Sequence, residues 1–123
     1  SVLFPKGKAE LTSEQLGRIT TAAALLAQLS DALRVSGGQA TIEVLGHTDS
    51  DGTDEANGPL SQARAELVRG LLSAPPNDGI TLTARGIGAD APATQGLTEE
   101  DKVLNRRASL RVAISEARQE SGR

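Results

Sequence analysis

Aromatic side chains are almost missing from this sequence. Its 123 residues include one Phe, at position 4, and no Trp, Tyr, Met or Cys. The core must therefore be built from Leu, Ile, Val and Ala side chains. Proteins that bind single-stranded nucleic acid usually stack the bases on aromatic side chains, so this composition disfavours that class of function.

Positive charge is also scarce and dispersed. The 13 Lys and Arg residues are outnumbered by 16 Asp and Glu residues, which gives a formal net charge of −3. No basic cluster forms the electrostatic footprint that nucleic acid or an anionic membrane surface requires. We therefore expect no nucleic-acid partner.

Long apolar runs are absent as well. No run approaches the ~20 apolar residues that cross a bilayer, so we expect no direct membrane insertion by this domain. No signal peptide is recognisable, and the sequence starts at Ser1 without Met, which favours a fragment of a longer envelope protein. The lack of Cys fits an envelope protein and a cytosolic protein nearly equally, so it does not fix the compartment.

The length suits a single domain over residues 1–123, because domains cluster at about 100–150 residues. Its core is expected over about residues 2–114, with a polar tail over 115–123. Apolar periodicity and the Gly and Pro residues between periodic segments predict the secondary structure. The strands are Ser1–Phe4, Ala40–Gly46, Ile80–Arg85 and Ala108–Ile114; the helices are a long one stopped by Gly37, a second at Asn57–Ser73, and a short one near Glu99–Val103.

Strands joined by long helices need crossover connections. We therefore predict an α+β fold, in which a β-α-β-α-β-β mixed sheet carries both long helices on one face. The first helix is capped by Thr12 or Ser13, and Gln15 stands at the capping-box position for Thr12. Asn57 is predicted to cap the second helix, with Pro59 in its first turn, because Pro has no amide to satisfy there.

The second long helix places one arginine on its apolar side. At about 100° per residue, one arc of the helix collects most of its large apolar side chains, and Arg64 falls inside that arc. The apolar members are Leu60, Leu67, Val68 and Leu71.

A guanidinium does not lose its proton and is expensive to bury without a partner. Arg64 is therefore expected to snorkel, or to face a carboxylate or an anionic ligand. Candidate carboxylates stand just before the helix, at Asp49, Asp51 and Asp54. A purely structural ion pair remains the alternative.

Two kinds of chemistry are disfavoured at this stretch. A hydrolase would recruit His47, Asp49 and Ser61, but their spacing does not make a triad and no Gly-x-Ser-x-Gly elbow exists, so we predict no catalytic residues. A calcium loop starting at Asp49 would need Gly at its sixth position and Glu at its twelfth, where Asp54 and Leu60 stand. We predict no metal site and no cofactor.

The same stretch carries a family pattern. The spacing is G-H-T-D-x-x-G-x-x-x-x-N-x-x-L-S-x-x-R-A, filled by Gly46-His47-Thr48-Asp49, Gly52, Asn57, Leu60-Ser61 and Arg64-Ala65. It resembles the OmpA C-terminal-like domain, a family of peptidoglycan-binding modules with relatives among the peptidoglycan-associated lipoproteins and the flagellar stator protein MotB. With a matching Asn105-Arg106-Arg107, the resemblance extends from about Val2 to Ile114.

The resemblance implies non-covalent binding of peptidoglycan through meso-diaminopimelate, whose side-chain end carries an ammonium and a carboxylate on one carbon. Asp49 would accept hydrogen bonds from the ammonium, and Arg64 would clamp the carboxylate. Thr48 and Asn57 match supporting positions. Arg106 is the third supporting residue, because its strand parity turns it toward the helix-covered face.

The resemblance also implies a non-enzymatic domain in the periplasm that tethers a parent protein or the outer membrane to the cell wall. We expect attachment to the outer or inner membrane through a segment outside this sequence. The alternative is a structural or protein-interaction domain of the same fold that does not bind the wall. Lys6 stands where the family pattern has an apolar residue, and a homodimer is left open.

Overall fold

The computed structural model describes residues 2–73, 79–90 and 98–115. Its elements follow the predicted order, with one short helix before the last strand. They are β1 (Val2–Leu3), α1 (Ser13–Ser36), β2 (Gln39–Gly46), α2 (Asp54–Leu72), β3 (Ile80–Gly86), α3 (Glu99–Asn105) and β4 (Arg107–Ser115). The predicted α+β fold is confirmed.

The four strands form one mixed sheet in the order β1-β4-β2-β3. β2 and β3 run parallel, and β4 runs antiparallel to β2 along its whole length. β1 is short and pairs antiparallel with Arg107 and Ala108 only. The carboxyl ends of β2 and β3 therefore lie beside the amino end of β4, at one edge of the sheet.

The hydrophobic core lies between the sheet and the two long helices. Ile42 and Val44 are fully buried, whereas Thr41 is exposed and Glu43, which lies between them, is half-buried. This is the alternation expected of a strand covered on one side, and it confirms that both long helices pack on one face. The remaining buried apolar residues are Phe4, Ile19, Leu26, Leu33, Ala40, Ala65, Val68, Leu72 and Ala108.

The start of α1 differs in one detail from the prediction. Thr12 is the N-cap, and its side-chain oxygen accepts from the Gln15 amide at 3.3 Å. Gln15 does not complete a capping box, because its own Oε1 accepts from the Leu3 amide at 3.0 Å. The side chain predicted to close the helix end instead ties β1 to α1.

The predicted N-cap of α2 is wrong by four residues. Thr53, not Asn57, is the N-cap, and its hydroxyl accepts from the Ala56 amide at 3.2 Å. Asp54 and Glu55 fill the first turn, where negative charge is favoured by the exposed amides of the helix end. Pro59 consequently lies inside the helix rather than in its first turn.

The buried face of α2 is also more polar than the predicted apolar arc. Val68 is buried as expected, whereas Leu60, Leu67 and Leu71 are only half-buried. The buried positions are Asn57, Ser61, Arg64, Ala65, Val68 and Leu72.

The last strand ends later than predicted. Ser115 is part of β4 and pairs with Gln39, so the polar tail does not begin there. Residues 116–123, the rest of the predicted tail, lie outside the described residues. Leu110, Val112 and Ile114 stand opposite buried β2 residues on the helix side of the sheet, yet they are 42%, 51% and 58% exposed.

Candidate functional site

Two glycines bring α2 against the ends of the parallel strands. A β-carbon at Gly46 would lie 1.8 Å from the Ser61 carbonyl oxygen, and one at Gly86 would lie 2.3 Å from the Gln62 amide nitrogen. No side chain larger than hydrogen fits between helix and strand at these positions. The early turns of α2 therefore contact the main chain of β2 and β3 directly, which fixes Arg64 behind the strand ends.

A cleft of about 330 Å³ opens beside this contact. The loop after β2, the start of α2, the loop after β1 and Arg106 form its walls. All five residues predicted for the site line this cleft: Thr48, Asp49, Asn57, Arg64 and Arg106. The structure thus brings together side chains that are up to 58 positions apart in the sequence.

Arg64 lies at the bottom of the cleft and is 0% exposed. Its guanidinium donates to three main-chain carbonyls: Nε to Lys8 at 2.9 Å, Nη1 to His47 at 2.8 Å, and Nη2 to Pro5 at 3.0 Å. It also stands 5.1 Å from the ring centroid of Phe4, a cation–π distance. These contacts show how a buried cation is accommodated without snorkelling.

The prediction that Arg64 pairs with Asp49, Asp51 or Asp54 is therefore wrong. Asp49 makes its ion pair with Arg106, whose Nη1 lies 3.2 Å from Asp49 Oδ2. Both residues are buried, and Arg106 Nε also donates to the Phe4 carbonyl at 3.2 Å. The other Asp49 oxygen accepts from the Asp51 amide at 2.9 Å, which orients the carboxylate. We call Asp49, Arg64 and Arg106 the cleft floor.

The cleft floor carries an excess of positive charge. Burial of the guanidinium, and to a lesser extent the nearby Arg106 charge, lower the pKa of Arg64 to about 10, although the Asp49 carboxylate opposes both effects. Arg64 therefore stays protonated at neutral pH. The floor then holds two guanidinium charges and one carboxylate charge, so a bound anion would neutralise the excess positive charge.

Thr48 and Asn57 line the wall of the cleft beside the floor. Asn57 Nδ2 donates to the Asp51 carbonyl at 3.0 Å and so fixes the loop between β2 and α2. Thr48 is 2% exposed, and its Oγ1 has no hydrogen-bond partner within the described residues. A buried hydroxyl without a partner is costly, so this atom is suited to a polar ligand or water.

A second group of charges stands at the mouth of the cleft. Lys6 Nζ lies 2.8 Å from Asp51 Oδ2, and Lys102 Nζ lies 3.2 Å from Asp51 Oδ1. We call Lys6, Asp51 and Lys102 the cleft rim. Sequence reasoning did not include Lys102, because it lies on α3, and only the fold carries that helix to the cleft.

The side chains of His47 and Ser61, which were considered for a hydrolase, are hydrogen-bonded to other groups. His47 Nε2 makes a 2.8 Å hydrogen bond with Ser109 Oγ. Ser61 Oγ donates to the Gly58 carbonyl and accepts from the Gly88 amide. Within the described ranges, no three acidic or histidine side chains are grouped as metal ligands.

Comparisons with known proteins agree with this geometry. A model of the OmpA family matches residues 3–106. The chain belongs to the OmpA family. The described helices include none that is long and apolar enough to span a membrane.

Three proteins illustrate the relationship. The chain is 40% identical over 74 residues to outer membrane porin F of Pseudomonas fluorescens, covering 58% of this chain and 22% of the porin. It is similar in structure to the peptidoglycan-associated lipoprotein of Burkholderia pseudomallei, with a TM-score of 0.66 and 30% identity over 91% of this chain and 88% of that one.

The third is the cell wall anchor of the T6SS from Pseudomonas aeruginosa, with a TM-score of 0.58 and 32% identity over 94% of this chain and 75% of that one. The family and these relatives are consistent with a peptidoglycan-binding domain. Since the chain spans only about a fifth of the porin, the similarity concerns one part of that protein.

Proposed function

We propose that this domain binds peptidoglycan non-covalently by holding the meso-diaminopimelate of the stem peptide in the cleft, and that it tethers a parent protein to the wall in the periplasm. The observation that carries the proposal is the buried floor, where the Asp49 carboxylate pairs with Arg106 and a second buried guanidinium, that of Arg64, lines the same cleft. A ligand with a carboxylate and an ammonium on one carbon matches both signs of charge.

The carboxylate end of the ligand is assigned to the two arginines. Three donors of Arg64 are used by main-chain carbonyls, and a guanidinium has five. The remaining donors and the Arg106 guanidinium supply charge-assisted hydrogen bonds for a carboxylate. Because Arg64 is fully buried, the ligand must reach it through the cleft between the loop at Lys6 and the start of α2.

The ammonium end of the ligand is assigned to Asp49. Its two oxygens accept one hydrogen bond each from the Asp51 amide and from Arg106. A carboxylate has about four acceptor positions, so it retains capacity for an ammonium. Thr48 Oγ1, which is buried beside it, provides one more polar contact.

The test is titration of the isolated domain by calorimetry with two muropeptides that differ only in the third stem residue. The one with meso-diaminopimelate should bind more tightly than the one with lysine, which lacks the second carboxylate. Losing a bidentate charge-assisted contact should cost about 2–4 kcal/mol, or roughly a thirtyfold to thousandfold weakening. Equal affinities would refute the carboxylate assignment.

A pair of variants tests the ammonium assignment. Asp49→Asn keeps the shape of the side chain and removes its charge, so it should abolish co-sedimentation with purified wall. Asp54→Asn makes the same change at the first turn of α2, outside the cleft, and should still pellet. Circular dichroism of both variants shows whether the fold is retained.

A structural domain that does not bind the wall is the second candidate. It is favoured by one observation: the three carbonyl contacts of Arg64 are sufficient to explain its burial without a ligand. Under this alternative, neither muropeptide binds, and Asp49→Asn changes stability only.

A further inference from the structure

Lys6 lies where the ligand cleft opens to solvent. It belongs to the loop after β1, which forms one wall of the cleft, and it lines the cleft together with Asp51 and Gly52 of the loop after β2. Its side chain is 60% exposed, whereas the residues of the cleft floor are buried. A ligand that reaches the floor must therefore pass beside the Lys6 ammonium.

A single carboxylate holds Lys6 in this position. Its Nζ donates to Asp51 Oδ2 at 2.8 Å, and within the part of the chain that the structure describes it makes no second ion pair. An ammonium has three donors, so this one can bind a further acceptor. Because a solvent-exposed ion pair contributes little to stability, Lys6 can also exchange Asp51 for another carboxylate at small cost.

Asp51 keeps a cationic partner when Lys6 turns away. Lys102 Nζ lies 3.2 Å from the other oxygen, Asp51 Oδ1, and the Lys102 side chain is only 18% exposed. The main chain of Asp51 is fixed as well, because its amide donates to Asp49 Oδ1 and its carbonyl accepts from Asn57 Nδ2. The loop after β2 therefore does not depend on Lys6.

Lys102 is less suited than Lys6 to contact a ligand. Its side chain does not line the cleft, and its Nζ lies 3.7 Å from Glu99 Oε2 in addition to its contact with Asp51. Of the two rim lysines, Lys6 alone borders the cleft and has one carboxylate partner.

The charge of Lys6 also acts on the cleft floor. The hydrogen bond with Asp51 is the main cause that raises the pKa of Lys6, and the Asp49 carboxylate of the floor adds to the effect. Lys6 is therefore protonated at neutral pH, and it is close enough to the floor to interact with its charges.

We propose that Lys6 is a specificity-determining residue, which exchanges Asp51 for a second carboxylate of the stem peptide while the floor holds the side-chain end of meso-diaminopimelate. This inference rests on the proposed function. It makes the cleft selective for stem peptides whose carboxylates are free rather than amidated, because an amide offers the ammonium no opposite charge.

Two groups of the stem peptide have the required chemistry. One is the α-carboxylate of the preceding glutamate, which is linked to diaminopimelate through its γ-carboxyl group. The other is the C-terminal carboxylate of a stem peptide that ends at diaminopimelate. Both lie next to the residue that the floor would hold, and amidation removes the charge of either one separately.

Calorimetry with amidated ligands tests the proposal. The parent ligand is the muropeptide whose stem is alanyl-γ-glutamyl-meso-diaminopimelate, and two further versions are amidated at the glutamate α-carboxylate or at the C-terminal carboxylate. At least one amide should bind the wild-type chain about two- to fivefold more weakly than the parent, the range expected for an exposed charge pair. Low salt, about 10 mM, keeps screening weak. The amide that binds more weakly identifies the carboxylate.

Two matched variants separate a direct contact from a general effect of charge. Lys6→Gln should bind the parent and that amide equally, because the group that distinguishes them is gone. Lys8→Gln makes the same change of charge two residues away in the same loop, at an exposed side chain that does not line the cleft. This control should keep the wild-type preference.

The outcomes distinguish this inference from the proposed function. Equal binding of all three ligands by the wild type, an unchanged preference in Lys6→Gln, or loss of the preference in Lys8→Gln as well would overturn the role of Lys6 and leave the proposed function intact. If the parent muropeptide does not bind at all, the proposed function fails and this inference fails with it.

Discussion

The floor and the rim of the cleft use the same kinds of charge in different surroundings. Asp49, Arg64 and Arg106 are 5%, 0% and 9% exposed, so protein groups must replace the water they have lost. At the rim, the side chains of Lys6 and Asp51 are 60% and 36% exposed, and only that of Lys102, at 18%, is largely covered. Charges that keep their water gain little from pairing, and their pairing is weakened by salt. Burial, not charge type, decides how strongly each group holds the structure.

Replacing Arg64 by Ala should give the largest effect. The change leaves three carbonyls without their donor and removes the cation–π contact, so we expect a loss of about 3–5 kcal/mol in the free energy of unfolding. Urea denaturation measures it. Lys6→Ala, which removes a cation from the rim, is the control and should leave the denaturation midpoint unchanged. Equal midpoint shifts in the two variants would show that burial does not decide how strongly a charge stabilises the fold.

Neutralising Asp49 should have an intermediate effect on stability. Asn keeps an acceptor for the Asp51 amide, but Arg106 loses its ion-pair partner and Arg64 loses the nearby negative charge that favours its protonated form. We expect Asp49→Asn to cost about 1–3 kcal/mol, again by urea denaturation. The added change Arg106→Gln should cost less in this background than in the wild type, because the pair is already broken. Additive costs would show that the two side chains are independent.

High salt should weaken the ion pairs of the rim more than those of the floor. At about 1 M salt the screening length falls to roughly 3 Å, which weakens pairing at the rim far more than at the floor. The coupling between Lys6 and Asp51, measured by a double-mutant cycle, should disappear at high salt. The coupling between Asp49 and Arg106 should persist, and its loss under the same conditions would show that water reaches the floor.

The smallest expected effect concerns the titration of Asp51. Hydrogen bonds from Lys6 and then Lys102 hold the pKa of this carboxyl below its ordinary value of 3.8. Its stabilising contribution is therefore present above the unfolded-state pKa and is lost as the pH falls through the lower folded-state pKa. NMR titration should show this depression, and Lys6→Ala should reduce it. An unchanged pKa in the variant would mean that Lys6 does not pair with Asp51 in solution.

The sequence predicted the order of the elements but not each helix end. Thr53 and Asn57 are both capping residue types, and Pro59 suits a start at Asn57 by local rules. Thr53 is the N-cap because the Asn57 side chain instead donates a hydrogen bond to the Asp51 carbonyl in the preceding loop. That contact depends on tertiary structure, which a local pattern does not contain.

The candidate site was likewise predicted in part. The family pattern predicted five residues that all line one cleft, and the helical wheel correctly placed Arg64 on a buried face. The partners of Arg64 were missed because they are main-chain carbonyls, which every residue has and no side-chain pattern marks. The exposure of β4 was missed because alternation shows which side of a strand is apolar, not whether another element covers it.

The contacts of the two buried arginines have a mechanical consequence for the proposed anchor. Arg64 is bonded to the loop after β1 and to the end of β2, while Arg106 is bonded to Phe4 from the start of β4. A pull on a ligand held by both would be shared among these three segments at once. Rupture would then require several hydrogen bonds to break together, as in shear, so the attachment should resist force better than its equilibrium affinity alone suggests.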